Sequence, residues 1–359
     1  MTRNERRRRS TIYDIATAAE ASVSTVSLVL NGNWSRYRIK EDTAQRVLTI
    51  ANQLGYNVNL KARGLRLSKS GLAGMILPHY RNRFFADLAE AFEARAWKLD
   101  LCPVVVSTQR QFDIESKVAK TLLDQQVEFL FIVGVPQAGE LNRLCETAAV
   151  PCVNLDLPGA GAPSIVSDNR GGAMQLTQRL VAELRKRGGS LEDFLFLGGI
   201  KEEYATDNRV AGFVEALRRE GVVPRDHMVS RCGYQPSHAR DALQEYVTKK
   251  QHLPSGLFVN SITAFEGIAQ FANGVSTAPL GDCVVGCFDW DPFAEQLPFT
   301  LVMMRQDTET MMEEAFASLD AAKQAERGVI VVPVLMETNA RSRTAKSVKR
   351  QVKKPDGAT

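Results

Sequence analysis

Three short runs near the N-terminus place apolar residues at helical spacing. Thr11, followed three residues later by Asp14, forms a capping-box pattern ahead of the first run, and Ser22 is suited to cap the second. The third run begins near Glu41 and ends at Gly55, a residue type favoured just past a helix C-terminus. The pattern predicts three helices around one small apolar core.

The first two predicted helices are short and lie on either side of a tight turn, and the second begins with small polar residues. This arrangement is typical of a helix-turn-helix, whose second helix enters the DNA major groove while nearby hydroxyls and amides contact phosphates. A plain helical hairpin would give the same spacing, so the spacing alone leaves a structural role open.

From residue 71 onward, short β-branched runs alternate with amphipathic stretches. One series extends from Leu72 to Asp156 and a second from Gly171 to Phe288. Such alternation predicts βαβ units, in which parallel sheets are flanked by helices. Two such series in tandem predict two lobes with a cleft between them.

Polar residues that end the apolar runs are the candidate ligand contacts, because ligands of open α/β sheets bind outside the carboxyl ends of strands. Four residues fit this rule, namely Asp156, Asp168, Asn260 and Asp289, and Arg209 follows the loop after a further strand. Carboxylates, an amide and a guanidinium suit sugar hydroxyls, and an arginine could also bind a phosphate. Each residue taken singly could be a turn or cap residue.

Charge is segregated along the chain, although the formal net charge is only +4. Residues 1–70 carry 13 Lys and Arg against 5 Asp and Glu, and residues 341–359 carry 7 against 1. Basic ends flanking an acidic middle indicate that the ends face a polyanion. The alternative is that both ends are solvated and disordered. If the tail has a function, we expect it to add nonspecific DNA affinity.

Several other classes of site find no support in the sequence. The six cysteines are scattered without a CxxC pair, so we expect buried, reduced thiols and no metal. No nucleophile elbow, P-loop or HExxH motif occurs and the four histidines are dispersed, so we expect neither an enzyme nor a cofactor. No apolar run reaches the roughly 18 residues of a membrane span, and no signal-peptide pattern follows the N-terminal arginines. We therefore expect a cytoplasmic protein without a membrane partner.

Five segments of the head carry a recognisable pattern: Thr11-Ile-Tyr-Asp-Ile-Ala16, Ser24-Thr-Val-Ser-Leu-Val-Leu-Asn31, Thr43-x-x-Arg-Val47, Ala51-x-x-Leu-Gly-Tyr56 and Asn59-x-x-Ala62-x-x-Leu65. They resemble the heads of the lactose-repressor (LacI/GalR) family, in the branch of the fructose and sucrose repressors. The resemblance implies that Val23, Ser24 and Leu28 read bases. It implies phosphate contacts for a second set: Tyr13, Ser22, Thr25, Ser27 and Asn31.

The resemblance also implies a hinge at residues 59–70 that contacts the minor groove through Asn59, Ala62 and Leu65. In the family this segment becomes helical when two copies meet on DNA, and a leucine wedges between base pairs and kinks the duplex. Leu65 matches the wedge leucine. The alternative is that Leu65 is a linker residue that packs on the body.

Three residues depart from the family pattern. Glu20 replaces a glycine in the turn, where a positive φ is often needed, which costs on the order of 1 kcal/mol. Lys40 replaces a serine cap worth roughly 1 kcal/mol. Val58 replaces a proline before the hinge, which predicts a looser hinge.

In the body, four segments resemble the sugar-binding core shared by these repressors and periplasmic sugar-binding proteins: Ser167-Asp-Asn-x-x-Gly-Ala173, Asp207-Asn-Arg-x-x-Gly-Phe213, Val285-Gly-Cys-Phe-Asp289 and Met304-x-Gln-Asp307. The resemblance implies effector contacts for Asp156, Arg209, Asn260 and Asp289. A loop from Pro78 to Phe85 matches the first pocket loop and adds further candidates: His79, Tyr80, Arg81 and Phe84.

We thus predict an α/β protein with an N-terminal three-helix helix-turn-helix head and a two-lobed, periplasmic-binding-protein-like core of parallel sheets flanked by helices. The expected boundaries are a head at 1–58, a hinge at 59–70, a core at 71–340 and a disordered basic tail at 341–359. Within the core, the N-lobe is expected at about 71–168 and 304–328, and the C-lobe at about 169–303 and 329–340.

The predicted function is that of a sequence-specific transcriptional regulator, in particular a repressor, whose operator affinity is controlled by a sugar or sugar phosphate. The expected partners are a palindromic double-stranded operator, the effector and a second copy of the chain, with a tetramer left open. A periplasmic-type sugar-binding protein without DNA function is the alternative.

Overall fold

The computed structural model describes residues 10–56, 70–274, 280–281, 283–320, 324, 326 and 328–338. The chain divides into two compact units, residues 1–71 and 72–359. The N-terminal arginines, the hinge residues Asn59, Ala62 and Leu65, and the basic tail at 341–359 lie outside the described residues.

The first unit contains the three predicted helices, α1 (Ile12–Ala18), α2 (Val23–Leu30) and α3 (Glu41–Gln53). The predicted capping box forms at Thr11, and the Ser22 hydroxyl accepts a hydrogen bond from the backbone N–H of Thr25 at 3.0 Å. The three helices share one core of fully or almost fully buried side chains, which includes Ile15, Val26, Val29 and Val47.

The two predicted local costs of the head are both present. Glu20 adopts a φ of 47° in the turn between α1 and α2, a conformation that disfavours any residue with a Cβ. Lys40 precedes α3 without a side-chain cap, so the N–H of Thr43 lacks the hydroxyl partner that a serine would give it. The Arg46 side chain offsets part of this cost, because its Nε donates to the carbonyl of Ala19 at 3.1 Å and ties α3 to the turn.

The second unit alternates strands and helices along most of its length. Its strands are β1 (Leu72–Leu77), β2 (Cys102–Ser107), β3 (Leu130–Val133), β4 (Cys152–Leu155), β5 (Ser164–Ser167), β6 (Phe194–Leu197), β7 (Val229–Ser230), β8 (Gly256–Val259), β9 (Val284–Phe288), β10 (Thr300–Gln306), β11 (Val329–Val332) and β12 (Val334–Thr338). Its helices are α4 (Arg83–Lys98), α5 (Phe112–Asp124), α6 (Ala138–Thr147), α7 (Asn169–Lys186), α8 (Tyr204–Arg219), α9 (Pro236–Lys250), α10 (Ile262–Gly274), α11 (Pro292–Glu295) and α12 (Thr308–Ala317).

The strands form two six-stranded sheets within the described residues, one for each lobe. The N-lobe sheet has the order β11-β5-β4-β3-β1-β2 and its paired strands are parallel. The C-lobe sheet has the order β12-β10-β9-β8-β6-β7, with β12 antiparallel to β10. Helices pack on both faces of each sheet, which explains why the central strands are continuous apolar runs.

The chain passes between the lobes at points that differ from the expected boundaries. β10, which ends at Gln306, pairs with β9 and so belongs to the C-lobe, and β11 pairs with β5 and so belongs to the N-lobe. The crossings therefore follow Ser167, Gln306 and Val332 in place of the expected 168, 303 and 328. Long-range strand pairing decides these points, and a local apolar pattern does not show which sheet a strand will join.

The cysteines lie mostly where the sequence predicted. Four are buried, Cys232 is partly buried, and Cys102 is exposed because β2 is the edge strand of its sheet. All six lie among the described residues, and none of them forms a disulfide. Among the described residues no helix is long and apolar enough to cross a bilayer, and no group of three His, Cys, Asp or Glu could hold a metal ion.

Candidate ligand cleft and nucleic-acid interface

A narrow cleft lies between the two lobes, and the space in it that the centre of a water molecule can reach is about 30 Å³. Loops at the carboxyl ends of the strands of both sheets line it, as the strand-end rule predicts. Five of the sequence-predicted effector residues line it: His79, Phe84, Asp156, Arg209 and Asp289.

The other three predicted residues lie elsewhere. Asn260 is fully buried at the end of β8, beside the cleft, where its backbone carbonyl accepts a hydrogen bond from Arg209. The Tyr80 side chain is 51% exposed outside the lining. Arg81 lines a separate surface groove together with Phe265 and Glu266. The structure therefore does not bring Tyr80 and Arg81 into the cleft.

Asp289, directly after β9, is saturated by hydrogen bonds from the protein itself. Its Oδ1 accepts from the Gln306 amide at 2.7 Å, and its Oδ2 accepts from the backbone N–H of Ile262 and from the Asn82 amide, each at 3.1 Å. Burial raises the pKa of Asp289 in spite of the neighbouring Arg209 guanidinium. Because Asn82 belongs to the N-lobe, this carboxylate also links the two lobes.

Arg209, on α8, is held in place on three sides. Its Nε donates to Asn169 Oδ1 and its Nη1 donates to the carbonyl of Asn260, both at 2.7 Å. The guanidinium carbon lies 3.9 Å from the centroid of the Phe288 ring, a cation–π contact. Nη2 makes no hydrogen bond within the described part of the chain, so it is available as a donor toward the cleft.

Asp156, directly after β4, differs from Asp289 in the hydrogen bonding of its carboxylate. Its carboxylate accepts no hydrogen bond from the described residues, and its backbone has a φ of 72°, which is unfavourable for a side chain with a Cβ. Gly134 leaves room for it, since a Cβ there would lie 3.3 Å from Asp156 Oδ2. Burial raises the pKa of Asp156 to about 7, against the lowering effect of Arg110 and Arg209.

A second polar cluster in the cleft joins Arg110 of the N-lobe to the C-lobe. Arg110 Nη1 lies 2.5 Å from Glu203 Oε1, and the guanidinium lies 5.1 Å from the centroid of the Tyr234 ring. The hydroxyls of Tyr234 and Thr206 both donate to Glu203 Oε2, the latter at 2.7 Å. Burial disfavours the charge on Arg110, but Glu203, Tyr234 and Asp156 together outweigh burial and raise the pKa of Arg110.

One wall of the cleft is less polar. Phe84 and Phe85 begin α4, and the His79 ring meets Phe85 edge-on with 5.6 Å between centroids. Burial lowers the pKa of His79, helped by the positive charges of Arg110 and Arg81, so the neutral ring is favoured. Its Nδ1 is buried without a hydrogen-bond partner among the described residues. A small ligand with both an apolar carbon face and hydroxyls suits these walls.

In the head, the N-terminus of α2 presents a cluster of hydroxyls. The Ser22 hydroxyl lies 2.8 Å from the hydroxyls of both Ser24 and Thr25, and Ser24 itself is exposed. At the other end of the helix, the Asn31 amide donates to the carbonyl of Ser27 at 2.6 Å. Orphan backbone N–H groups and hydroxyls at a helix N-terminus are a suitable surface for phosphate oxygens and base edges.

The remaining predicted DNA contacts differ in exposure. Tyr13 is 68% exposed on α1, and Leu28 is half-buried on α2 outside the core cluster of the head. Val23 is partly buried and packs against that core. Tyr13 and Leu28 are thus placed to meet a partner, whereas Val23 offers only part of its surface.

Comparison with known proteins identifies the chain. Residues 11–59 match the family of bacterial regulatory proteins named after lacI, and residues 70–278 match the periplasmic binding proteins and sugar-binding domain of the LacI family. The second match alone covers more than half of the chain. The chain belongs to the LacI family.

Similar proteins include two curated LacI-family relatives. The ribitol operon repressor of Klebsiella aerogenes is 42% identical over 216 residues, which are 58% of this chain and 80% of that protein. The sucrose operon repressor of Klebsiella pneumoniae is 26% identical over 265 residues, 74% of this chain and 78% of that protein.

Solved structures agree on the fold. The lac repressor dimer bound to operator and an anti-inducer superimposes with a TM-score of 0.70 at 19% identity, covering 92% of this chain and 99% of that chain. The regulator CelR in complex with cellobiose gives a TM-score of 0.64 at 19% identity, over 92% of this chain and 99% of that one. The predicted class, a three-helix head with a two-lobed α/β core, is therefore confirmed.

As a LacI-family member, the chain is a DNA-binding transcriptional regulator whose body is a sugar-binding domain. Sequence reasoning missed four residues that line the cleft, namely Arg110, Tyr234, Asn82 and Gln306, and it missed Glu203, which contacts two of them. The strand-end rule could have identified two of these residues. Arg110 follows β2 by three residues, and Gln306 is the last residue of β10. Glu203 and Tyr234 lie deeper in their loops, where the sequence shows no strand end.

Proposed function

We propose that this LacI-family regulator is a repressor whose effector is a neutral polyol or sugar. The observation that carries the proposal is a pair of polar groups in the cleft that make no hydrogen bond to the described residues, the Asp156 carboxylate and Arg209 Nη2. A hydroxyl both donates and accepts, so one ligand hydroxyl could donate to Asp156 while a neighbouring one accepts from Arg209. Phe84 and Phe85 would pack against the carbon chain.

The charge of the cleft favours a neutral effector over a phosphorylated one. The guanidiniums of Arg110 and Arg209 face the carboxyl groups of Asp156 and Asp289, and Arg110 is paired with Glu203. Arg209 already uses two of its nitrogens within the protein, and its charge acts on Asp156. A phosphate would therefore find Arg110 already neutralised and only Nη2 of Arg209 open to it, which is unfavourable in a buried site.

The relatives support the same class of effector and a repressing role. The relative named for a ribitol operon is 42% identical, and its name makes ribitol and other pentitols the first candidates. The chain spans most of that relative, and the names of both curated relatives contain the word repressor.

For DNA, we propose that two copies of the chain present two heads to a palindromic operator. Val23, Ser24 and Leu28 would read bases, with phosphate contacts from Tyr13, Ser22, Thr25, Ser27 and Asn31. The hinge residues Asn59, Ala62 and Leu65 would enter the minor groove at the centre of the site. An effector that binds one arrangement of the two lobes more tightly would shift the spacing of the hinges and so change operator affinity.

Isothermal titration calorimetry of the full chain with ribitol, D-arabitol, D-ribose and D-ribitol 5-phosphate tests the effector class. We expect at least one neutral compound to bind and to change operator affinity in a gel-shift assay. Asp156→Asn should weaken that compound by about tenfold, since a hydrogen bond to a charged group contributes about 1.5–3 kcal/mol. Binding of the phosphate ester alone would contradict the proposal.

The control for this experiment is Asp124→Asn, which removes an exposed carboxylate at the end of α5, far from the cleft lining. It should bind the neutral compound as the unmodified chain does. Equal losses in the two variants would show that overall charge, and not the Asp156 contact, controls affinity.

A further inference from the structure

Glu203 has a position in the cleft that ligand binding by Asp156 and Arg209 does not explain. We propose that Glu203 is a specificity-determining residue, which excludes phosphorylated effectors by neutralising Arg110. This inference deepens the proposed function, because it assumes that the cleft between the lobes is the effector site. It concerns a different pair of residues from those that hold the neutral ligand.

The Glu203 carboxylate is buried and fully engaged. Only 6% of its side chain is exposed, and both of its oxygens accept hydrogen bonds. Thr206 and Tyr234 donate to one oxygen from the C-lobe, which fixes the carboxylate and leaves the other oxygen aimed at Arg110. A carboxylate held in this way is a preorganised counter-ion for a guanidinium.

Without Glu203, Arg110 would be a second cation in the cleft, beside Arg209, that could receive an anion. It lines the cleft, only 20% of its side chain is exposed, and its guanidinium rests on the Tyr234 ring. The backbone of both Gln109 and Arg110 has a φ of 56°, which turns the loop after β2 at the cleft. Arginine in such a pocket is well suited to grip a phosphate through two nitrogens.

The pairing changes what the cleft can accept. An entering phosphate must either compete with Glu203 for Arg110 or lie beside an uncompensated carboxylate, and both are costly at low dielectric. A neutral polyol meets neither obstacle, because its hydroxyls can donate to carboxylates. Removing the charge of Glu203 while keeping its shape should therefore convert the cleft from excluding phosphate to accepting it.

The test is the substitution Glu203→Gln in the full chain, titrated calorimetrically with inorganic phosphate, D-ribitol 5-phosphate and ribitol. We expect affinity for D-ribitol 5-phosphate to rise by about tenfold or more, as a freed charge-assisted contact allows. The matched control is Glu202→Gln, which removes an equal charge one residue away, on a side chain that is 83% exposed. This control should gain nothing.

A second experiment tests whether the gain in affinity for the phosphate ester depends on Arg110. The double variant Glu203→Gln, Arg110→Gln should lose the affinity for phosphate that the single variant acquired. If Glu203→Gln does not fold, as judged by circular dichroism, Glu203→Ser replaces it, since a smaller side chain also frees the guanidinium. A folded variant without any gain for the phosphate ester, or a gain that persists without Arg110, overturns the inference.

The outcomes also separate this inference from the proposed function. If the unmodified chain binds no neutral polyol or sugar, the proposed effector class fails. Glu203→Gln would still be judged by its own gain for the phosphate ester relative to Glu202→Gln. If ribitol binds but Glu203→Gln gains nothing for phosphate, the effector class stands and the role of Glu203 is refuted.

Discussion

Asp156→Asn should change the pH dependence of stability as well as ligand binding. The Asp156 carboxyl is 6% exposed and accepts no hydrogen bond from the described residues, and burial raises its pKa from 3.8 to about 7. Between these two values the folded protein holds a proton that the unfolded chain releases. The stability that this group contributes is complete below pH 4 and is lost as the pH rises through 7.

The expected magnitude follows from the shift. One pKa unit corresponds to about 1.4 kcal/mol, so a shift from 3.8 to about 7 corresponds to about 4 kcal/mol above pH 7, as an upper figure. An asparagine keeps the shape of the side chain and cannot ionise. The variant should therefore match the unmodified chain near pH 4 and exceed its stability increasingly up to pH 8.5, by up to about 4 kcal/mol.

Urea unfolding at pH 4.5, 6, 7 and 8.5, followed by tryptophan fluorescence, measures this difference. Asp289 also has a raised pKa, and its charge raises the pKa of Asp156, so the difference between the two proteins includes the interaction of the two carboxyls. Asp124→Asn, on an exposed site, should leave the pH profile unchanged. Parallel profiles for Asp156→Asn and the unmodified chain would refute the assignment of a buried, unpaired carboxyl in the cleft.

Three further substitutions test the head and the close packing of Gly134 next to Asp156. Lys40→Ser should raise the stability of the head by about 1 kcal/mol, because a serine hydroxyl can cap α3. A thermal melt followed by Trp34 fluorescence would show the increase, and an unchanged melting temperature would contradict the prediction. Leu28→Ala should weaken specific operator binding by about 1–3 kcal/mol and leave nonspecific binding unchanged. The control Leu48→Ala, on α3, should alter neither. If Leu28→Ala loses equal affinity for operator and nonspecific DNA in a gel-shift assay, Leu28 does not read bases. Gly134→Ala combines a φ of 62° with a Cβ only 2.8 Å from Pro78 Cγ, so it should cost more stability than Gly188→Ala, where φ is 71° but the space is open. Equal urea midpoints for the two glycine variants would show that the contact with Pro78 is harmless.

Features that depend on neighbours along the chain could be predicted from the amino-acid pattern. Both β1 (Leu72–Leu77) and β8 (Gly256–Val259) fall within the predicted βαβ series, because continuous apolar runs of that length suit strands buried on both faces. The positive φ of Glu20 and the missing cap at Lys40 were expected from the family resemblance, and they transfer well because turn and cap geometry depends on only a few adjacent residues.

Tertiary structure decided which residues meet across the cleft. Arg110 and Glu203 are 93 residues apart and Glu203 and Tyr234 are 31 apart, so no local pattern links them. Their contact depends on how two separately folded sheets bring their loop ends together. The same long-range pairing assigned β11 to the N-lobe and left Tyr80 and Arg81 outside the cleft lining. Local chemistry thus predicted the elements and most of the strand-end side chains that line the cleft, whereas the balance of charges in the cleft arose only when the two lobes faced each other.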